Sequence, residues 1–241
     1  MRISVIIPAF NEEKLLPASL AEIQLATAAF LKRGWTVELV VCDNNSTDRT
    51  ADLARAAGAR IVFEPVNQIA RARNTGAAAA SGDWLIFVDA DSHPSAELFA
   101  NVAEQIVLGR ALAGGVTIRL DETMFVAGLV TRLWNLVSRS QKLMAGSFIF
   151  VEAAAFRQVG GFSHELFAAE ELELSQRLKK LANANGRSIV ILHRHPLKTS
   201  ARKMRLYTAR EHLRVLARVV FSRGRSLRQR ETAHLWYDGR R

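Results

Sequence analysis

Cysteine is nearly absent from this sequence, and so are long apolar runs. The single cysteine, Cys42, falls in an apolar stretch, so no disulfide framework can form and a reducing compartment is expected. No apolar run approaches the ~18 residues that a membrane-spanning helix needs. Residues 1–8 read as a strand and not as a signal peptide, which would need a longer apolar segment and a cleavage site. The expected location is therefore the cytoplasm.

Acidic residues are scarce at the carboxyl end, where the net charge of +10 is concentrated. Residues 194–241 carry 14 Lys and Arg against 3 Asp and Glu, whereas the preceding 193 residues carry 19 against 20. We therefore divide the chain into a main domain, 1–200, and a basic tail, 201–241. Such a tail indicates an anionic partner: a membrane surface, a phosphorylated acceptor or nucleic acid. Nucleic acid is disfavoured, because the chain has no aromatic platform and no recognised nucleic-acid motif.

Short apolar strands alternate with helical segments in the first half of the main domain, 1–92. The predicted strands are 3–8, 36–42, 59–63 and the stretch 82–91, whose apolar run is 84–88; the predicted helices are 11–31, with Asn11 as its N-cap, one ending near 57, and 69–80. Alternation with short connections predicts an α/β domain with a mostly parallel central sheet flanked by helices. The second half, 93–200, is predicted to contain helices 95–108, 124–143, 152–159 and 169–181 and strands 111–120, 146–151 and 188–192; a basic helix, 200–222, would begin the tail.

The fourth predicted strand ends on two carboxylates, Asp89 and Asp91. An unpaired buried carboxylate costs several kcal/mol, so an acidic pair at the mouth of a buried strand needs a counter-charge. A divalent metal would supply it and would leave coordination sites open for water and a phosphate. A strand end that simply enters solvent is the alternative. Ligands of parallel sheets bind beyond the carboxyl ends of the strands, where this chain also carries Asp43 and Glu64.

Five motifs occur in a fixed order along residues 1 to about 195. They are SVIIPAFNEE at 4–13, DNNSTD at 43–48, ARARNTG at 70–76, DAD at 89–91, and GGF at 160–162 followed by Glu170, Glu171 and Arg177. Together they resemble the family-2 inverting glycosyltransferases, which have the GT-A fold, a Rossmann-like single domain. A sugar nucleotidyltransferase, the alternative enzyme class, would need a glycine-rich phosphate loop after the first strand, where this chain has PAFNE.

The resemblance implies that a nucleotide-diphosphate sugar of the UDP or GDP type binds at the rim. The residues that would contact it are Pro8, Ala9, Phe10, Glu12, Asp43, Arg71, Arg73, Asp89 and Ala90. Asp43 would accept a hydrogen bond from the ring N–H of the base; a turn Asp that caps the next helix is the alternative. Arg71 would hold the base or the diphosphate through its planar guanidinium. Arg73 competes for that role, and at least one of the two is expected to be a solvated helix charge.

The same resemblance implies a metal ion and a catalytic base. Asp91, with Asp89, would bind Mn²⁺ or Mg²⁺ and so polarise the leaving group. His193 is the favoured third ligand because it ends the last predicted strand; His195 is the alternative, and either could simply pack. The base would be Glu171, where the family has Asp, or its neighbour Glu170. Acids also favour helix N-termini for structural reasons alone.

The acceptor is an unknown hydroxyl compound. Residues 176–180, QRLKK, lack the Gln-x-x-Arg-Trp block of processive relatives, so transfer of a single sugar is expected. The amphipathic segment 124–143 and the basic tail could rest together on anionic lipid and bring a lipid-linked acceptor near, as a peripheral membrane protein does. Residues 199–203, TSARK, could close over the diphosphate or could cap the next helix.

Overall fold

The computed structural model describes residues 1–121, 125–202 and 228, with only the backbone at 125 and 126. Its elements, in chain order, are β1 Arg2–Ala9, α1 Leu16–Leu31, β2 Thr36–Asp43, α2 Thr50–Ala56, β3 Arg60–Phe63, α3 Ile69–Ala79, β4 Trp84–Val88, β5 Ser92–His93, α4 Ala96–Leu108, β6 Ala111–Leu120, α5 Phe125–Gln141, β7 Phe148–Glu152, α6 Ala153–Gln158, α7 Glu170–Ala184 and β8 Ser188–Thr199. No helix in these described ranges is both long enough and apolar enough to cross a bilayer.

The strands form one eight-stranded sheet in the order β3-β2-β1-β4-β7-β6-β8-β5. All but β7 and β5 run in the same direction, which confirms the prediction of a mostly parallel sheet. The chain leaves β1 toward β2 on one side and returns to β4 on the other. This change of direction opens a crevice beyond the carboxyl ends of these strands.

Both faces of the sheet are covered, and β4 shows why its sequence is continuously apolar. All five of its residues are buried. Trp84, Ile86 and Val88 pack in the core on the side of α1 and α4. Leu85 and Phe87 pack in the opposite core, on the side of α3 and α7. Because successive side chains point to opposite faces, a strand between two layers needs apolar residues at every position.

The first helix begins at Leu16, so the prediction that Asn11 caps it is wrong. Asn11 has a left-handed φ of 52°. Its backbone N–H donates to Ser46 Oγ at 3.0 Å, and its Oδ1 accepts from the Thr47 N–H at 2.8 Å. The polar residues after β1 therefore bind the loop after β2 instead of starting a helix.

The last strand continues to Thr199, seven residues beyond its predicted end at 192. Leu192 pairs with Val116 and Leu197 pairs with Ile118, so residues 193–196 bulge opposite the single residue Thr117. Proline is tolerated in a sheet at such bulges, and Pro196 lies in this one. The predicted basic helix 200–222 lies outside the described residues from 203 onward, as does the start of the predicted helix 124–143.

Candidate active site

The loops after β1 and β2 are joined by hydrogen bonds at the rim of the sheet. The Glu12 N–H donates to Thr50 Oγ1 at 2.8 Å, and the Glu13 N–H donates to an Asp48 carboxylate oxygen at 3.1 Å. Asp43 ends β2 and is 7% exposed, and its Oδ1 accepts from the Ser46 N–H at 3.1 Å. Asp43 thus stabilises its own turn, but it is buried and does not cap α2, whose N-cap residue is Arg49, so the alternative of a solvated helix cap is wrong.

Arg73 lies at the centre of the candidate site and is only 1% exposed. Its Nη1 donates to Glu170 Oε1 at 2.7 Å, and its Nη2 donates to Asp89 Oδ1 at 2.9 Å. Nη2 also donates to the Gly146 carbonyl at 2.8 Å. One guanidinium therefore joins the carboxylate after β4 to the carboxylate that begins α7, and three acceptors fix its position.

This geometry separates the two arginines that the sequence left in competition. Arg71 is half-buried, and its Nε donates to Gln68 Oε1 at 3.1 Å. Arg73 is enclosed by acids and lies 5.2 Å from the centre of the Phe162 ring. The expectation that at least one of them is a solvated charge is wrong, since neither is exposed. Arg71 remains the candidate for a nucleotide contact, whereas Arg73 positions carboxylates.

Two glycines after α6 bring the backbone against the polar face of α3. The Asn74 Nδ2 donates to the Phe162 carbonyl at 2.8 Å, and Asn74 Oδ1 accepts from the Phe162 N–H at 2.9 Å. A Cβ on Gly161, whose φ is 69°, would lie 2.6 Å from Asn74 Oδ1. The glycine pair therefore serves a close approach to a neighbour within the protein.

Glu170 and Glu171 begin α7 directly after Ala169, which has a left-handed φ of 61°. Glu170 is 3% exposed and is bound to Arg73. Glu171 is half-buried and, with Asp89 and Glu170, lines a cavity of about 160 Å³. Burial and the charge of Glu170 raise the pKa of Glu171 to about 8, against the opposing effect of the Arg73 charge. A carboxylate with a raised proton affinity, on a cavity wall, suits a general base.

Asp91 lies on the side of the rim that faces the loop after β8. Its Oδ2 is 3.6 Å from an Nη of Arg202. The same guanidinium donates to both carboxylate oxygens of Glu12, at 2.9 and 2.7 Å. The sequence predicted only that residues 199–203 close over the diphosphate or cap a helix. Nothing local predicts that Arg202 reaches Glu12, which follows β1, and Asp91, which follows β4.

The predicted metal ligands are only partly brought together. Asp89 and Asp91 stand at the end of β4, but His193 is exposed and lies within β8, so its prediction as the third ligand at a strand end is wrong. His193 lies six positions before Thr199, the last residue of β8, and belongs to the bulge 193–196. His195 lies in the same bulge, near Glu97.

The two carboxylates nevertheless fit a hard cation whose remaining ligands would include a diphosphate. Carboxylate oxygens are the ligands that Mg²⁺ and Mn²⁺ prefer, and the remaining positions are commonly filled by water and phosphate. The guanidinium beside Asp91 indicates that this carboxylate accepts a cation as partner. Within residues 1–121 and 125–202, no group of three or more His, Cys, Asp or Glu could hold a metal by itself.

One known family matches most of this chain, and individual curated proteins match part of it. The family described as Glycosyl transferase family 2 matches residues 4–156. The undecaprenyl-phosphate 4-deoxy-4-formamido-L-arabinose transferase of Pseudomonas aeruginosa is 34% identical over 122 residues, which cover 47% of this chain and 35% of that protein. The chain spans less than half the length of the curated relatives that it matches.

Solved structures share the fold at low sequence identity. TarS of S. aureus, residues 1–349, superposes with a TM-score of 0.66 at 21% identity, covering 91% of this chain and 66% of that one. Other structures of TarS contain UDP-GlcNAc or UDP. The mannosyltransferase PcManGT of Pyrobaculum calidifontis, in complex with GDP-Man and Mn²⁺, gives a TM-score of 0.66 at 19% identity, covering 97% and 69%. At these sequence identities, the similarity shows a shared fold and nothing further.

Proposed function

The chain belongs to glycosyl transferase family 2, and from that premise we propose that it transfers one sugar, with inversion, from a nucleotide-diphosphate sugar to an acceptor hydroxyl. The observation that carries the proposal is the cavity in which Asp89 and Glu171 face a common space while Arg73 holds Asp89 against Glu170. The cavity joins the end of β4, where a donor would lie, to the start of α7, where a base would act.

The donor's nucleotide would lie over the loops after β1 and β2. Asp43, Glu12 and the half-buried Arg71 border this part of the rim and offer hydrogen bonds to a base, a ribose and a diphosphate. The nucleotide could be of the UDP type, as in TarS structures, or of the GDP type, as in the PcManGT complex. Asp89 would face the sugar, held in that orientation by Arg73.

Glu171 would accept the proton of the acceptor hydroxyl as its oxygen attacks the anomeric carbon. The new carbon–oxygen bond forms on the face opposite the leaving group, and the bond to the diphosphate oxygen breaks with its electron pair. The products are the glycosylated acceptor, protonated Glu171 and the nucleoside diphosphate. Glu170 is less suited to this role, because its carboxylate is already bound to Arg73.

Asp91, with Asp89 beside it, would hold Mn²⁺ or Mg²⁺. When bound, the cation would supply Lewis-acid stabilisation to the departing diphosphate. PcManGT was solved with both GDP-Man and Mn²⁺, which supports this assignment by fold alone. The chain itself would present the Asp91 carboxylate to the cation and hold Asp89 in place through Arg73.

The acceptor would be lipid-linked, and the protein would lie on an anionic membrane. Helix α5 exposes Leu129, Leu133 and Leu136, each more than 60% accessible, on one side. The undecaprenyl-phosphate transferase among the relatives acts, by its name, on a lipid phosphate. Replacing these three leucines with serine should release the protein from anionic vesicles; unchanged partition would refute the membrane role.

Binding of nucleotides tests the donor assignment directly. We expect UDP or GDP to raise the melting temperature only when Mn²⁺ is present, and Asp91→Asn to abolish the shift. Asp52→Asn is the matched control, because the Asp52 side chain is exposed on α2 and pairs only with Arg55 among the residues described. Equal shifts in wild type and Asp91→Asn would contradict the donor site.

A further inference from the structure

The guanidinium of Arg202 lies between the two acids that border the proposed donor site. We propose that Arg202 is an internal counter-ion that competes with the divalent cation for Asp91, and that it passes from the carboxylates to the diphosphate when the donor binds. The inference rests on the proposed function, since it names the exchange by which that donor site would fill.

The contacts place one positive charge against two negative ones. Arg202 binds Glu12 through both Nη atoms and lies 3.6 Å from Asp91. The side chains of Arg202, Glu12 and Asp91 are only 13%, 8% and 14% exposed. Charges this enclosed interact more strongly than surface pairs, because little water screens them.

The loop that carries Arg202 is anchored at the rim by two strands. The Ala201 N–H donates to Asp121 Oδ1 at 2.8 Å, and the Asp121 N–H donates to the Thr199 carbonyl at 3.0 Å. The Thr199 hydroxyl also bonds to Ser92 Oγ, next to Asp91, at 3.0 Å. The loop is therefore held by the ends of β6 and β5, and the long side chain of Arg202 supplies the reach.

Two cations cannot share Asp91 without repulsion. A divalent ion that binds alone must approach a carboxylate whose field Arg202 already cancels in part. A diphosphate changes this balance, because its oxygens offer the guanidinium bidentate acceptors of higher charge than a carboxylate. The Arg202 Nε–H, which is buried and lacks a hydrogen-bond partner among the described residues, is one more donor for such a ligand.

The exchange predicts that cation and nucleotide strengthen each other's binding in wild type. In Arg202→Gln the competitor is gone, so Mn²⁺ alone should bind more tightly, while UDP or GDP should bind more weakly. Coupling between sites typically amounts to roughly 5–150-fold in affinity. We expect Mn²⁺ alone to gain about 10-fold in Arg202→Gln, and the coupling to fall by about the same factor, since the direct contact between cation and diphosphate remains.

Calorimetric titration of the full chain with Mn²⁺ alone, then with UDP and GDP with and without Mn²⁺, tests the proposal. Arg202→Lys keeps a charge and should resemble wild type toward Mn²⁺; Arg55→Gln, at an exposed position of α2, is the control for loss of a positive charge. Asp121→Ala, which frees the loop but keeps the guanidinium, should fall between wild type and Arg202→Gln.

Unchanged Mn²⁺ affinity in Arg202→Gln would overturn the exchange even if the nucleotide binds as proposed. Loss of Mn²⁺ and nucleotide affinity together, with a lower melting temperature, would also overturn it, because it would make Arg202 a structural residue. If no nucleotide binds to any variant, the donor proposal fails, yet tighter Mn²⁺ binding by Arg202→Gln would still support competition at Asp91.

Discussion

Replacing Glu171 with Gln separates the chemistry of this carboxyl group from its effect on stability. Gln keeps the shape of Glu but can neither ionise nor accept a proton as a base. We expect transfer to fall by about 10²–10⁴-fold, the usual contribution of a general base. We also expect the variant to be more stable than wild type at alkaline pH, because an ionised carboxylate is disfavoured on this cavity wall.

The size and pH window of the stability gain follow from the raised pKa. In the folded protein the pKa of Glu171 is about 8, compared with its ordinary value of 4.5. Between these values the folded protein keeps the proton while the unfolded chain loses it, so the stability of wild type falls as pH rises from 4.5 to 8. At about 1.4 kcal/mol per pH unit the full shift corresponds to at most about 5 kcal/mol. Because water reaches part of the half-buried side chain, we expect about 2–3 kcal/mol.

Urea denaturation at pH 5, 7 and 8.5 measures this difference. The two proteins should be nearly equal at pH 5, and Glu171→Gln should be the more stable at pH 8.5. Glu173→Gln is the control, since Glu173 lies on the same helix, half-exposed and paired with Arg177, and its replacement should change stability little and equally at each pH. A variant that is less stable than wild type at pH 8.5 would refute the burial argument. Retained turnover would instead move the base to Glu170.

Three further substitutions test the framework of the site. Arg73→Met should lower the free energy of unfolding by about 3–5 kcal/mol, because it leaves two enclosed carboxylates without their cation. Ala169→Gly should leave stability within about 0.5 kcal/mol of wild type, since relief of the left-handed conformation offsets the added freedom of the unfolded chain. Gly114→Ala should destabilise by about 1–3 kcal/mol or more, because its Cβ would lie 2.5 Å from the Val190 carbonyl oxygen. Chemical denaturation monitored by circular dichroism measures all three.

Each of these substitutions has a control elsewhere in the chain. Arg55→Met removes an exposed ion pair and should cost under about 1 kcal/mol. Ala168→Gly, next to the strained residue, should lose about 0.5–1 kcal/mol, since Ala168 does not have a positive φ. Gly128→Ala, within α5 and with open space around it, should gain about 0.5–1 kcal/mol. Equal effects in test and control would mean that the named contacts do not decide stability.

The periodic elements could be predicted because their pattern is local. Strand β4 needs apolar residues on both faces, and it coincides with the apolar run 84–88 of the longer stretch 82–91 that was predicted as a strand. The start of α1 could not be predicted, because Asn11 looks like an N-cap until the loop after β2 supplies competing hydrogen bonds. The end of β8 was missed for a similar reason: residues 193–196 are polar and include a proline, and only pairing with β6 shows a bulge within a strand.

The sequence by itself determined that the sheet is mostly parallel, the order of the motifs and the resemblance to the family. The strands and helices depend on local periodicity, and the resemblance to the family depends on motifs of short spacing; a chain carries both wherever it folds. Only the tertiary structure decided that Arg73 binds Asp89 and Glu170, that Arg71 does not, and that Arg202 reaches Glu12 across 190 positions of sequence. The physical reason is that an ion pair depends on distance and burial in space, and residues two apart on one helix can face entirely different surroundings.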